Sequence, residues 1–200
     1  MTPSTPWIDP PPLVGHYVTV RPMTADDALG LFEIGQDDSI WDWLSYHAFR
    51  SLSDAEAFVN EALAGRAAGG EFPFVAVDPL TGAVKGTTRF LDIRPAHRAL
   101  EIGWTWYGVD FQRTGVNTET KLLLLTYAFE QLGAVRVCFK TDLRNERSQN
   151  AIARLGALRE GVLRHQQIIP KSGYKRDSVY FSVIDDEWPE TKQRLLSMLR

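Results

Sequence analysis

Cysteine occurs once in this chain, as Cys138, so an intramolecular disulfide is excluded and nothing in the sequence asks for an oxidising compartment. The histidines, His16, His47, His97 and His165, are scattered, and with a single thiol they make no ligand spacing of the kind that holds zinc, so no metal is expected. No apolar run approaches the roughly 20 residues that span a bilayer. The opening Met1-Thr2-Pro3-Ser4-Thr5-Pro6-Trp7 lacks the basic region followed by an apolar one that marks a secretory leader. A cytoplasmic protein with no membrane partner is the expectation. Positive charge is not in excess either: 22 Lys and Arg against 25 Asp and Glu give a formal charge of −3, and the basic residues are dispersed. That pattern offers no footprint for nucleic acid, and any polyanion must be bound locally.

Apolar residues make up 44% of 200, enough for the core of one domain. The expected organisation is a Pro-rich extended arm over residues 1–13, where Pro3, Pro6, Pro10, Pro11 and Pro12 remove N–H donors and restrain their predecessors, then a single domain over residues 14–200. Residues 17–22 alternate as a first strand. Thr24 with Asp26 and Asp27 reads as the cap and acidic first turn of a helix to about Gly35, and Ser53 with Glu56 as the capping box of a second helix to about Ala64. Residues 72–77, 84–93 and 99–107 read as a meander, the first two strands joined by a turn from Asp78 to Gly82.

Beyond the meander, Leu122, Leu125, Phe129 and Leu132 share one helical face, and Val135, Val137 and Phe139 alternate as a strand, which makes a strand, helix, strand crossover. Ser148, Ala151, Ile152 and Leu155 form another helical stripe. Strands near residues 158–169 and 177–184 and a helix from about Glu187 follow. This order predicts an α/β or α+β fold: a mixed central sheet with an antiparallel meander first and a helical crossover in its second half.

The most informative stretch is residues 111–125, where a polar, Gly-containing turn runs from a strand directly into the apolar pattern of a helix. The first helical turn has N–H groups without intrahelical acceptors, and the helix dipole adds partial positive charge, so such a turn is an anion site, with Gly115 allowing close approach. It is neither a dinucleotide fingerprint, since G-x-G-x-x-G is absent, nor a Walker loop, since no Gly-Lys-Ser/Thr follows. Gln112-Arg113-Thr114-Gly115-Val116-Asn117 resembles the Gln/Arg-x-x-Gly-x-Gly/Ala pyrophosphate loop of the GCN5-related N-acetyltransferases, the GNAT superfamily, departing from it at Asn117. Asn145-Glu146-Arg147-Ser148, Leu155-Gly156-Ala157 and Glu160-Gly161-Val162-Leu163-Arg164 follow in the order seen in its ribosomal-protein alanine acetyltransferase (RimJ/RimL-like) branch. The resemblance covers about residues 14 to 190.

What the resemblance implies is a GNAT fold with splayed fourth and fifth strands, and transfer of an acetyl group from acetyl-CoA to a primary amine, with no metal. The cofactor would lie over Gln112, Arg113, Thr114, Gly115, Val116, Asn117 and Thr118, with Val109, Asn145 and Ser148 beside it. Asn145 is equally a helix cap. Ser148 would protonate the departing thiolate, or is a first-turn helix serine. Glu101, on the fourth strand, would be the base that takes the acceptor's proton and would touch the acceptor, or is a solvated edge charge. Period 2 groups it with Gly103, Thr105 and Tyr107, opposite Ile102, Trp104 and Trp106. Trp41 and Trp43 would form an acceptor wall, or belong to the core.

The acceptor implied is a protein N-terminal amine, such as that of a ribosomal protein. A small amine, amino acid or antibiotic, a CoA-binding module without catalysis, and an assembly protein that keeps only the fold remain open. A homodimer is one oligomeric state that the resemblance suggests.

Overall fold

A computed structural model describes residues 7–199. Eight strands form one sheet: β1 (Leu13–Val14), β2 (Thr19–Pro22), β3 (Glu71–Val77), β4 (Val84–Arg94), β5 (Ala99–Tyr107), β6 (Arg136–Asp142), β7 (Leu158–Ile169) and β8 (Tyr174–Ile184). Their spatial order is β1-β2-β3-β4-β5-β6-β8-β7, antiparallel throughout except between β5 and β6. A parallel pair cannot be joined by a tight turn, and here the crossover is helix α3 (Gly115–Thr126). The other helices are α1 (Ala28–Ile34), α2 (Leu52–Ala67), α4 (Glu146–Arg154) and α5 (Trp188–Ser197). The mixed sheet, the meander and the crossover are thus as the sequence predicts.

Each face of the sheet carries its own core. Ala28 and Leu31 of α1 and Ala55, Phe58, Val59 and Ala62 of α2 pack on Val75, Val77 and Trp106. On the opposite face α3 and the π-turn after it bring Leu124, Leu125 and Ala128, α4 and its C-cap bring Ile152 and Leu155, and α5 brings Trp188 and Leu195, all onto Phe90, Leu100, Val137, Phe139 and Val179. A fully buried leucine such as Leu124 or Leu125 contributes about 1.5–3 kcal/mol relative to exposure. No residue of β6 or β8 belongs to the core packed by α1 and α2.

Local signals and structure differ at three points. The capping box of α2 lies two residues earlier than Ser53 and Glu56: the Asp54 carboxylate accepts from the N–H groups of Arg50 (2.8 Å) and Ser51 (2.9 Å). The buried stripe of α3 runs through Val116, Lys121, Leu124, Leu125 and Ala128, leaving Leu122 and Leu132 only half-buried, and a π-turn over Tyr127–Gln131 ends the helix. Of the arm, residues 1–6 lie outside the described residues. Beyond them Ile8 is buried and the Trp7 indole donates to Leu132 O (3.3 Å).

The third difference is a bulge in β5. Thr87 pairs with Trp106 but Arg89 pairs with Gly103, so β5 carries one residue more than β4, and Trp104 takes up the turn with φ +51°. The extra residue flips the alternation. Leu100 and Ile102 face α3, and past the bulge Tyr107 does too, while Trp106 enters the α1/α2 core. Trp104, 5.4 Å from the Tyr46 ring, lies with Glu101 and Trp106, whereas Thr105 turns to α3. The face groupings expected from strict period 2 are corrected accordingly.

One clasp joins the sheet's edge to α3. The buried Glu119 carboxylate accepts from the N–H groups of His16 (2.9 Å), Tyr17 (2.6 Å) and Val18 (2.9 Å), and a Cβ on Gly15 would lie 2.4 Å from that carboxylate. Glu119→Ala is expected to lose about 2–4 kcal/mol of unfolding free energy, because backbone donors are left inside without an acceptor. A lower urea midpoint with unchanged slope would show it; an unmoved midpoint would mean that water serves those donors equally well.

Candidate active site

β5 and β6 pair only at Ala99, Leu100 and Glu101 against Arg136, Val137 and Cys138. Beyond that point they part, and residues 102–107 of β5 and 139–142 of β6 line an open fork. The splay expected of the fourth and fifth strands is therefore present; the two-residue β1 makes them the fifth and sixth in this chain. Past Glu101 the fork-side backbone edge of β5 has no partner strand, and an unpaired edge is a template for another extended segment.

Glu101 stands where the fork opens. Its residue is 4% exposed, which rules out the solvated edge charge, and the Lys140 Nζ lies 3.1 Å from its carboxylate. Burial raises the Glu101 carboxyl above its ordinary range, and the Lys140 cation only partly opposes it. A carboxylate so placed is a proton acceptor in dry surroundings.

Sequence reasoning missed the residue on the other side of the fork. Lys121 of α3 is 5% exposed, its Nζ donates to Thr105 Oγ1 (2.7 Å) and lies 6.0 Å from the centre of the Phe139 ring. Burial alone pushes its amine down to about 7. The signal was in the spacing, since Lys121 precedes Leu124, Leu125 and Ala128 by three, four and seven residues and so falls on the apolar stripe.

At the mouth of the fork, the anion loop joins β5 to α3. Gln112 Nε2 donates to Tyr107 O (3.1 Å) at the end of β5, and Gln112 Oε1 accepts from Arg147 (2.5 Å) of α4, so one side chain spans the mouth. Arg113 adopts φ +61°, after which Thr114 caps α3, accepting from Val116 N–H (3.3 Å) and donating to Phe111 O (2.7 Å). The remaining N–H groups of the first turn are left for an anion. Arg113, Thr114 and Val109 are exposed; the buried Val116 and Thr118 point inward, Thr118 accepting from Arg154 (3.1 Å). Asn117, the departure from the family pattern, sits inside the helix without a positive φ, so its residue type imposes no backbone strain. A Cβ on Gly115 would come within 2.9 Å of the Tyr17 ring, so this close approach also serves packing.

α4 begins beside that loop. Asn145 caps it, accepting from the Ser148 N–H (2.9 Å), and the half-buried Ser148 hydroxyl makes no hydrogen bond among the described residues. Glu101 and Lys121 thus flank the point where β5 and β6 part, on opposite faces of the sheet, and Gln112 and the Asn145 turn meet at its mouth, where Gln112 accepts from Arg147. The two tryptophans separate. Trp41 is 2% exposed, with its indole donating to Gly35 O (2.9 Å), and belongs to the α1/α2 core. Trp43 is exposed and lines a recess with Asp142, Arg144 and Tyr174; the Arg144 guanidinium lies 5.3 Å from the Trp43 ring and 3.7 Å from the Tyr174 ring. Lys171 of the β7–β8 turn donates to Trp41 O (2.5 Å) and Tyr46 O (3.2 Å), pinning this wall.

Among the described residues no group of His, Cys, Asp and Glu could hold a metal ion, and no helix is long and apolar enough to cross a membrane.

Residues 18–158 match the family model for the acetyltransferase (GNAT) domain. The chain is similar to "Putative ribosomal N-acetyltransferase YdaF" of Bacillus subtilis (strain 168), 32% identical over 56% of this chain and 59% of that protein. A solved GCN5-related N-acetyltransferase from Brucella melitensis superposes with a TM-score of 0.90 at 27% identity, over 98% of this chain and 88% of the other. Mycobacterium smegmatis RimJ, solved in complex with CoA-disulfide, shares the fold with a TM-score of 0.75 at 20% identity, over 90% of this chain and 88% of that one.

The raised Glu101 carboxyl carries a pH signature. A group whose folded pKa lies above its unfolded one stabilises the fold at low pH and loses that contribution as pH rises through the folded value. Relative to Glu101→Gln, the parent should therefore lose thermal stability from pH 5 to pH 8. A parent that instead gains on the variant over that range would mean that the Lys140 pairing outweighs burial.

Proposed function

The chain belongs to the GNAT acetyltransferase family and is an acetyl-CoA-dependent N-acetyltransferase with RimJ/RimL-like proteins among its relatives, and we propose that its acceptor is the N-terminal amine of a protein. The observation that carries this reading is Glu101, a buried carboxylate at the point where β5 and β6 part. An α-amine has an unperturbed pKa of about 7.7–8.0 against about 10.4 for a lysine side chain, so a carboxylate base takes a proton from an α-ammonium, bringing the amine to its neutral form, at less cost than from a lysine. The exposed Trp43 offers an apolar wall for a polypeptide. The relative named for ribosomal acetylation points to the same acceptor class.

The residues present fit acetyl-CoA. The first turn of α3 supplies donors for its pyrophosphate over residues 112–118, the unpaired β5 edge supplies backbone groups for an extended arm, and Val109, Asn145 and Ser148 border the same mouth. Bound there, it supplies an acetyl group on a thioester. The Glu101 carboxylate takes the proton of the incoming amine, with Lys140 holding that carboxylate in place. The Ser148 hydroxyl, free of protein partners among the described residues, gives a hydrogen bond or proton to the leaving sulfur. A thiol of pKa about 8.5 leaves with modest help, so this second role is the smaller one.

Peptides with free N-termini, small amines and amino acids, each incubated with acetyl-CoA and read by mass spectrometry, test the acceptor. Acetylation confined to peptide α-amines is expected, and turnover of small amines alone would overturn the proposal. Glu101→Gln should lower turnover about 10²–10⁴-fold, the usual size of a general-base contribution, with acetyl-CoA affinity little changed by calorimetry. A loss below about threefold would pass the proton to solvent. Ser148→Ala should bind acetyl-CoA normally and lose roughly 10–10³-fold in turnover; full activity when chemistry limits the rate would leave Ser148 a helix residue only.

A further inference from the structure

Lys121 is a buried amine that the transfer reaction as described does not use. Among the described residues it has no ion pair, and its hydrogen bond goes to Thr105 Oγ1 at 2.7 Å. Removing an ammonium from water without a carboxylate to face it is costly, and a methionine of similar length would fill this place in the α3 stripe without that cost. What the lysine adds is a donor. The ammonium form carries three N–H groups and no acceptor, and the neutral form still carries two N–H groups, so the amine donates to Thr105 Oγ1 as the contact is oriented.

With the amine as donor, a direction for the bonds downstream follows. The Thr105 hydroxyl hydrogen is left for Thr88 Oγ1, 2.7 Å away on β4, with Gly103 O more distant at 3.5 Å, and the Thr88 hydrogen for Gly103 O at 3.3 Å. The chain of bonds leads from α3 across β5 and β4 and back to the carbonyl that immediately precedes Trp104. Trp104 is the residue with φ +51° that forms the bulge. A bulge at this place decides which side chains of β5 reach which face. Were it to relax, Trp104 and Trp106 would exchange faces with Thr105 and Tyr107, and the strand would be re-aimed next to Glu101.

We propose that Lys121 is a positioning residue for the transfer reaction: through Thr105 and Thr88 it pins the β5 bulge and so holds Glu101 and Trp104 in register on the acceptor side of the fork. The side chain acts at a distance, on the opposite face of the sheet from the base it serves.

The test pairs Lys121→Met with Thr105→Val and Thr105→Ser, measured first without any ligand, so that its outcome does not depend on the acceptor. In the proposal's favour, backbone amide exchange at Trp104 and Thr105 speeds up at least about tenfold in Lys121→Met and Thr105→Val while the melting temperature stays level or rises. Thr105→Ser, which keeps the hydroxyl, restores slow exchange. With the acceptor identified, kcat falls roughly 10–100-fold in the first two variants with KM for acetyl-CoA little changed, a size typical of displaced catalytic geometry, and the double variant is no worse than either single one. Unchanged exchange and unchanged kcat in a folded Lys121→Met protein would overturn the proposal and leave Lys121 as core filling. If Lys121→Met does not fold, the contrast between Thr105→Val and Thr105→Ser decides: equal exchange in the two overturns it, rescue by serine upholds it.

Discussion

The parting of β5 from β6 after three residue pairs is the constraint on which the site depends. Because these two strands are parallel, their connection must cross the sheet as a helix, and α3 therefore starts next to the end of β5, with its unpaired first-turn donors at the mouth of the fork. Because β6 runs beside β5 only at its start, the turn that begins α4 falls at the same mouth, where Arg147 meets Gln112. One topological feature thus brings the first-turn donors of α3, an unpaired strand edge, a helix cap and a buried carboxylate together, although they are spread from Glu101 to Ser148.

The electrostatics follow from the same opening. Two ionisable side chains of opposite sign stand at the fork on opposite faces of the sheet, Glu101 with Lys140 on one and Lys121 with Thr105 on the other. Burial moves both toward their neutral forms, the carboxyl up and the amine down to about 7. Groups perturbed in this way lie at functional sites more often than chance places them, and the two roles proposed for them differ: proton acceptance for the carboxylate and alignment of β5 for the amine.

Much of this was legible in the chain. The anion loop is a local signal, a polar turn with Gly115 ahead of an apolar helix, and the alternation of Val137 and Phe139 after that helix gives the crossover. The bulge was not legible, because period 2 assumes regular pairing and the extra residue at Trp104 is fixed by partners on β4 and α3. Lys121 was overlooked because a lysine inside an apolar stripe is ordinarily solvated at its tip, and only the packed sheet shows the amine enclosed. Trp41 and Trp43, two residues apart, look alike in sequence, yet one is core and one lines the recess; the turn between them, pinned by Lys171 from a distant hairpin, decides which.

Backbone hydrogen exchange with and without acetyl-CoA tests the central claim most directly. If the fork holds the cosubstrate's extended arm, exchange should slow on residues 102–107 of β5 and on residues 112–118, while β7 and the β3–β4 turn remain as they were. Binding that leaves residues 102–107 unprotected, or that protects another edge of the sheet, would contradict the account.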